Sequence, residues 1–256
     1  MAKYLTEFNT YADYSGATLS LPNVSLIKNT GKVYYKNIYA GAVLGDILMW
    51  DVANQKFVAT LNAQWDATTY PIASYEPIAI NVYPAGQTPD GKGRWMALKW
   101  VSNASASGST TSVRLLWGKT GDDLTSKDQD AFNGRVNTDK ALALADGTSG
   151  NTADAFPIFY AANIFHTNGT SAGDWYVPSK KELSLYQANY ANINAQITAI
   201  KNASSAIVNT VNEGQYSSTE YNNINNNRAW KLSSGGSFDY AYVASQGDYC
   251  RAFLSL

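Results

Sequence analysis

"GDWYVPSKKELSLYQANYANINAQITAIKNA", residues 173–203, decides the fold, because two local signals meet in it. The apolar run WYVP ends at a proline and predicts a short buried strand. Ser179 then begins SKKE, a capping box in which the serine hydroxyl accepts a hydrogen bond from the amide of Glu182 and the Glu182 side chain reaches back. Apolar residues follow at helical spacing: Leu183, Tyr186, Tyr190, Ile193, Ile197 and Ile200. We therefore expect a helix that starts at Ser179.

The segments on both sides of this stretch indicate an α+β fold for residues 119–256. Before it, NTDKALALAD and DAFPIFYAANIF have helical apolar spacing, and Pro157 restricts the second to a late start or a kink. After it, QYSSTEY, RAWKLSS, SFDYAYVAS and CRAFLSL are typical of strands joined by Asn and Gly turns. Helices first and antiparallel strands last predict an α+β domain.

Two further segments precede this domain. Residues 38–118 contain short runs such as LGDILMWDVANQKFVATL, YEPIAINVYPAG, RWMALKWVS and SVRLLWGK, which predict an antiparallel β-rich domain. Four tryptophans are expected in its core rather than on a ligand: Trp50, Trp95, Trp100 and Trp117. In residues 1–37, VSLIKN and KVYYKN flank the turn NTGK and predict a β-hairpin that serves as an attachment arm.

Composition argues against several classes of protein. Charged residues are 15% of the chain, the formal net charge is −1, and no basic block is present, so nucleic acid is not an expected partner. No apolar run approaches the roughly 20 residues of a membrane span, and the N-terminus lacks a secretory signal, so we expect synthesis in the cytoplasm without membrane insertion. The single Cys250 excludes an internal disulfide and a cysteine metal cluster.

Catalytic and metal-binding signals are weak. His166 is the one histidine, so a catalytic triad or a histidine zinc site lacks partners. The acidic stretch GDDLTSKDQD lacks the glycine and terminal glutamate of a calcium-binding EF-hand loop. Glu182 and Glu220 are isolated carboxylates. We therefore predict no enzymatic activity, no cofactor and no metal; a glycan hydrolase remains an alternative that requires two close carboxylates in a cleft.

The C-terminal aromatic residues favour surface recognition instead. Tyrosine and tryptophan dominate binding hot spots, and here they alternate with Asn, Ser, Asp and Gly. Strand alternation in residues 237–243 places Phe238, Tyr240 and Tyr242 on one face, opposite Ser237, Asp239 and Ala241. The pattern does not decide which of these two faces is internal.

Three motifs in order carry a family resemblance over residues 119–256: GDWYVPSKKEL, YSSTEYNNINNNRAW and the terminal RAFLSL. Together they resemble the Fibrobacter-paralogous type of domain found in Bacteroidetes and their phages. That type is similar to the C-type lectin fold and to the variable proteins of diversity-generating retroelements. Tyr216 stands where the family has tryptophan, and Cys250 where it has valine or tyrosine. The calcium signature of sugar-binding C-type lectins is absent, so calcium-dependent glycan binding is not implied.

The resemblance implies a set of diversified positions on a fixed framework. Diversification acts at adenines, and the asparagine codons of NNINNN begin with two adenines. The implied ligand-binding, variable positions are Tyr221, Asn222, Asn223, Asn225, Asn227, Lys231, Ser233, Asp239, Tyr240, Tyr242, Asp248 and Tyr249. The implied framework positions are Trp175, Pro178, Ser217, Ser218, Glu220, Ala229, Trp230, Gly235, Arg251 and Phe253.

From this resemblance we expect a non-enzymatic receptor-binding protein that displays a diversified surface, in the setting of a phage tail or fibre adhesin. Its expected partners are a host cell-surface protein or glycan, virion or tail proteins through the N-terminal region, and copies of itself in a trimer. The expected location is the virion. The alternatives are a bacterial cell-surface or pilus-tip adhesin, and a structural virion protein with no ligand.

Overall fold

The computed structural model of this chain describes residues 41–60, 64–118, 127–148, 155–209, 214–222 and 228–256, together with three short strands before residue 41. The strands in chain order are β1 Leu5–Phe8, β2 Leu26–Asn29, β3 Lys32–Lys36, β4 Ile47–Asp51, β5 Lys56–Ala59, β6 Tyr75–Tyr83, β7 Arg94–Ala97, β8 Gln215–Glu220, β9 Arg228–Leu232, β10 Phe238–Tyr242 and β11 Phe253–Ser255. The helices are α1 Gly134–Thr148, α2 Pro157–Ile164, α3 Lys180–Ala188 and α4 Tyr190–Ala203. Helices and antiparallel sheets together make this an α+β protein, as the sequence predicts.

The first three strands form an antiparallel sheet in the order β1-β3-β2. Strands β2 and β3 pair with Asn29 opposite Lys32, which is the pairing that the two runs and their NTGK turn predict. The attachment role of this segment stays a prediction.

A five-stranded antiparallel sheet in the order β11-β7-β6-β4-β5 joins distant parts of the chain. Strand β11 pairs with β7, with Phe253 opposite Met96 and Leu254 opposite Trp95. The predicted boundary between residues 118 and 119 therefore does not separate two sheets. It does not separate two cores either, because the buried ring of Trp117 packs edge-on against Phe159 with centroids 5.0 Å apart.

The predicted placement of the four tryptophans in the core is confirmed. Trp95, Trp100 and Trp117 are buried, and Trp50 is half-buried against the apolar cluster that contains Trp95 and Trp117. The run SVRLLWGK, by contrast, contributes only an isolated bridge from Leu115 to Asp248 and no strand.

The predicted capping box is present, and the helix after it is interrupted. The Ser179 hydroxyl accepts from the Glu182 amide at 3.2 Å, and the Ser179 amide donates to the Glu182 carboxylate at 2.8 Å. The helix then breaks at Asn189, whose side-chain amide donates to the Leu185 carbonyl at 3.0 Å. Because asparagine side chains compete with backbone hydrogen bonding, two helices form where the apolar spacing predicts one.

The WYVP segment is buried but is not a regular strand. Tyr176 exchanges two backbone hydrogen bonds with Phe253, of 3.0 and 2.8 Å. The next amide, that of Val177, donates at 3.0 Å to the hydroxyl of Thr138 in α1 instead of to a neighbouring strand. Proline at 178 has no amide hydrogen, so the pairing stops after one residue.

A buried ion pair ties the start of α3 to the five-stranded sheet. Arg94 on β7 donates from Nε to Glu182 Oε1 at 2.9 Å, and the two side chains are 5% and 1% exposed. The Tyr176 hydroxyl donates to the same oxygen at 3.0 Å. Burial raises the pKa of Tyr176 well above its ordinary value, and the Glu182 charge adds to this, so the hydroxyl stays protonated as a donor.

Removing the cation of this pair should strongly destabilise the fold. We expect Arg94→Ala to lower the free energy of unfolding by about 3–5 kcal/mol, because Glu182 would keep a buried charge without its counter-ion. Urea unfolding followed by circular dichroism measures this change.

Lys181→Ala is the matched control for that experiment. Lys181 Nζ lies 3.8 Å from Asp130, whose side chain is 90% exposed, and an exposed pair contributes about 1 kcal/mol or less. Equal losses in the two variants would contradict the role assigned to the buried pair.

Candidate ligand-binding surface

Strands β8, β9 and β10 form a second three-stranded sheet in the order β10-β9-β8. Its packing shows which face of residues 237–243 is exposed. Tyr240 and Tyr242 are 37% and 38% exposed, whereas Ala241 between them is 1% exposed and belongs to the core. Ala241 lies opposite the buried Ala229 of β9. Small side chains therefore face inward, where the sheet packs closely on the core, and the Tyr240 and Tyr242 rings face outward. Phe238, on the same side of β10, is half-buried against a second apolar cluster that contains its strand partner Leu232.

We define the aromatic face as the outward side of this sheet with the rings that meet there. The register places Tyr240 opposite Trp230 and Tyr242 opposite Arg228. The Tyr221 ring lies 4.9 Å from Trp230 and 4.7 Å from Tyr240, both tilted. The members of the aromatic face are Tyr221, Trp230, Phe238, Tyr240 and Tyr242, with the cations Lys180 and Arg228.

The guanidinium of Arg228 lies over two of these rings. Its guanidinium carbon is 4.4 Å from the Tyr240 ring centre and 4.8 Å from that of Tyr242. Nη2 donates a hydrogen bond of 2.7 Å to the Tyr242 hydroxyl. That hydrogen bond, followed by charge interactions with Tyr242, Tyr240 and Tyr221, raises the pKa of Arg228. The face therefore carries a permanent positive charge.

Lys180 brings a second cation from the first turn of α3. Its Nζ lies 3.8 Å above the Trp230 ring centre and 5.2 Å from that of Phe238. Burial lowers the pKa of Lys180, and the nearby Asp130 partly opposes this. Because Lys180 directly follows Ser179 and its amide donates at 2.9 Å to the Thr219 hydroxyl, the capping box positions it over the sheet.

The aromatic face has excess positive charge. Among the described residues, no carboxylate forms an ion pair or hydrogen bond with Lys180 Nζ or with Arg228. The adjoining run at residues 222–227, NNINNN, contains no charged residue. Within the part of the chain that the structure describes, Arg228 Nε and Trp230 Nε1 are also buried without a hydrogen-bond acceptor.

The structure brings only some of the implied variable positions to this face. Tyr221, Tyr240 and Tyr242 lie on it, and the exposed Asn222 follows Tyr221 directly. Asn223, Asn225 and Asn227 lie outside the described residues.

The other implied variable positions lie elsewhere. Lys231 forms a 3.1 Å ion pair with Asp248 and is opposite Asp239 in the register, on the reverse side of β9 from Trp230. The Tyr249 ring packs 5.6 Å from Trp100, and its hydroxyl accepts from Arg114. Ser233 bonds to Ser237 within the turn between β9 and β10.

Two members of the aromatic face, Arg228 and Lys180, are absent from the sequence-based set. Arg228 could have been found, because pairing RAWKL with FDYAY about their serine–glycine turn places residue 228 beside 242. No sequence pattern indicates Lys180, because it is 50 residues away from Trp230 in the chain and their contact depends on tertiary packing. Trp230, implied as framework, lies on the face itself.

A cleft away from the aromatic face contains charged and aromatic side chains. This cleft of about 600 Å³ is lined by Arg94, Arg135, Tyr176 and Glu182 among others. Three carboxylates line it, and each has partners: Glu182 accepts from Arg94, Tyr176 and the Ser179 amide, Asp90 from Arg94, and Asp174 from the Ser171 amide. His166 is exposed, and its Nδ1 lies 3.1 Å from the carbonyl of Ile164.

Searches within the described residues found no cluster of three potential metal ligands, and none of those helices is long and apolar enough to span a bilayer. Comparison with family models, with curated proteins and with solved structures gave no match.

The orientation of β10 can be tested by paired substitutions. We expect Ala241→Asp to lower the free energy of unfolding by at least about 3 kcal/mol, because the charge would enter the core. Tyr240→Ser, on the exposed face, should cost about 1 kcal/mol or less. Thermal and urea unfolding of both variants measure the difference; the reverse order of stabilities would contradict the assigned orientation.

Proposed function

We propose that this chain is a non-enzymatic receptor-binding protein that contacts its ligand through the aromatic face. The observation that carries the proposal is the outward set of closely packed rings with two cations, Arg228 and Lys180, that form no ion pair with a described carboxylate. Such a surface has the aromatic and arginine composition of binding hot spots. Tyrosine rings also present a large contact area at a small entropic cost.

The scaffold beneath the face supports this role. Every residue of β8 is buried, and Ala229 and Ala241 pack into the core. A rigid sheet holds its outward side chains in place, so substitutions at the outer positions can change the ligand without disturbing the fold.

The proposed setting is a lectin-like display domain of the retroelement variable type, on a phage tail or fibre. The motif order in residues 119–256 supports it. So do the buried positions of the implied framework residues Trp175, Glu220, Arg251 and Phe253. In this setting the N-terminal region would attach to the virion and the protein would act as a trimer, whose repeated weak sites add up through avidity.

Binding to host cells tests the proposed function. We expect Tyr240→Ala and Tyr242→Ala each to weaken adsorption of the labelled protein to a panel of Bacteroides strains. A hot-spot side chain contributes about 2 kcal/mol, or roughly 30-fold in affinity. Flow cytometry across a concentration series measures the apparent affinity.

Val136→Ala is the control for these variants. Val136 is 53% exposed on α1 and does not belong to the aromatic face. Unchanged adsorption of the two tyrosine variants, with circular dichroism showing an intact fold, would instead favour a structural virion protein without a ligand.

The genomic locus tests the proposed diversification. We expect a reverse transcriptase gene and a near-repeat of the last forty or so codons that differs from them at adenines. Sequencing the locus is the measurement, and a locus with neither feature would contradict diversification while leaving ligand binding at the aromatic face intact.

A further inference from the structure

The positive charge of the aromatic face favours a negatively charged ligand. Arg228 and Lys180 stack on rings, and within the described residues the only hydrogen bond of the Arg228 guanidinium runs from Nη2 to Tyr242. An arginine in this arrangement has donors left for an oxyanion, and its planar fork matches a carboxylate. A partner that carries a carboxylate would complement this face.

The area of the face specifies the size of the ligand. A tyrosine side chain covers about 150–250 Å², so Tyr240 and Tyr242, which are 37% and 38% exposed, offer roughly 150 Å² together. A stable protein partner covers about 800 Å² on each side. The exposed rings therefore match a few sugar units better than a protein surface.

The chemistry around the rings points the same way. The apolar C–H face of a sugar ring packs flat on an aromatic ring, and its hydroxyl groups both donate and accept. The side-chain amide of the exposed Asn222 and the hydroxyl of Tyr240 can likewise donate and accept hydrogen bonds, and so can pair with sugar hydroxyl groups. Single-stranded nucleic acid also stacks on aromatic rings, but it needs a positively charged groove that tracks successive phosphates, and this face has two cations.

We propose that the aromatic face binds a carboxylated saccharide, with Arg228 taking the carboxylate and Tyr240 and Tyr242 taking the sugar ring. The inference rests on the proposed function, since it names the ligand class for the same surface. Lys180 contributes a second positive charge over the Trp230 ring.

Titration calorimetry with defined probes tests this assignment. The carboxylated probes are oligosaccharides of galacturonate, oligosaccharides of hyaluronan, and sialyllactose; the neutral counterparts are methyl-esterified galacturonate oligosaccharides and lactose. We expect at least one carboxylated probe to bind at least about 10-fold more tightly than its neutral counterpart. Binding should weaken as salt is raised, because part of the attraction is between charges.

Arg228→Gln and Arg135→Gln form a matched pair of variants. Both arginines stack on a tyrosine ring, Arg135 at 5.1 Å from the centre of the Tyr176 ring, but Arg135 lies on α1 outside the aromatic face. We expect Arg228→Gln to weaken binding of the carboxylated probe by about 10-fold or more and to bring its affinity close to that of the neutral probe. Arg135→Gln should change neither.

Several results would overturn the saccharide assignment. These are equal affinity for carboxylated and neutral sugars, no binding of any sugar probe, or tighter binding of oligoglutamate or oligothymidylate than of every sugar. If cell adsorption still depends on Tyr240 and Tyr242 in those cases, the proposed receptor-binding function is supported and only the assigned ligand class is wrong. If cell adsorption does not depend on Tyr240 and Tyr242 either, both the receptor-binding function and the ligand class are contradicted.

Discussion

The carboxylate of Glu182 is almost inaccessible to water, and three donors from different parts of the chain converge on it. The Ser179 amide comes from the helix start, Arg94 from the five-stranded sheet, and the Tyr176 hydroxyl from the segment before the helix. Gly134 of α1 approaches so closely that a β-carbon there would lie 2.3 Å from the carboxylate. A buried charge is tolerated only with such complete pairing, so the elements around it have little freedom to shift.

The aromatic face depends on the same junction. Lys180 follows the capping serine directly, so the constraint that starts α3 also sets a cation above Trp230. The Ser218 amide donates at 2.6 Å to the Pro178 carbonyl, which ties β8 to the segment immediately before the helix. The aromatic face is therefore an extension of the packed core, and its side chains are held by elements whose positions the Glu182 network fixes.

Part of this arrangement is predictable because its physical cause is local. A capping box spans four residues, and strand alternation has a period of two, so both can be recognised in the chain directly. Alternation alone left the orientation of residues 237–243 open, since a tyrosine-rich face suits a core as well as a binding surface. The buried Ala229 opposite Ala241 decided it, because two small side chains allow close approach to the core.

By itself, the sequence determined the α+β class, the capped helix start and the strands of the C-terminal sheet, and it restricted α2 to a late start or a kink at Pro157, of which the structure shows the late start. Each of these follows from periodicity, capping or proline geometry within a few residues. Only the tertiary structure decided that β11 pairs with β7, that Arg94 neutralises Glu182, and that Arg228 and Lys180 join the tyrosines on one face. Those contacts join residues far apart in sequence, and their formation depends on how sheets and helices pack rather than on any local pattern.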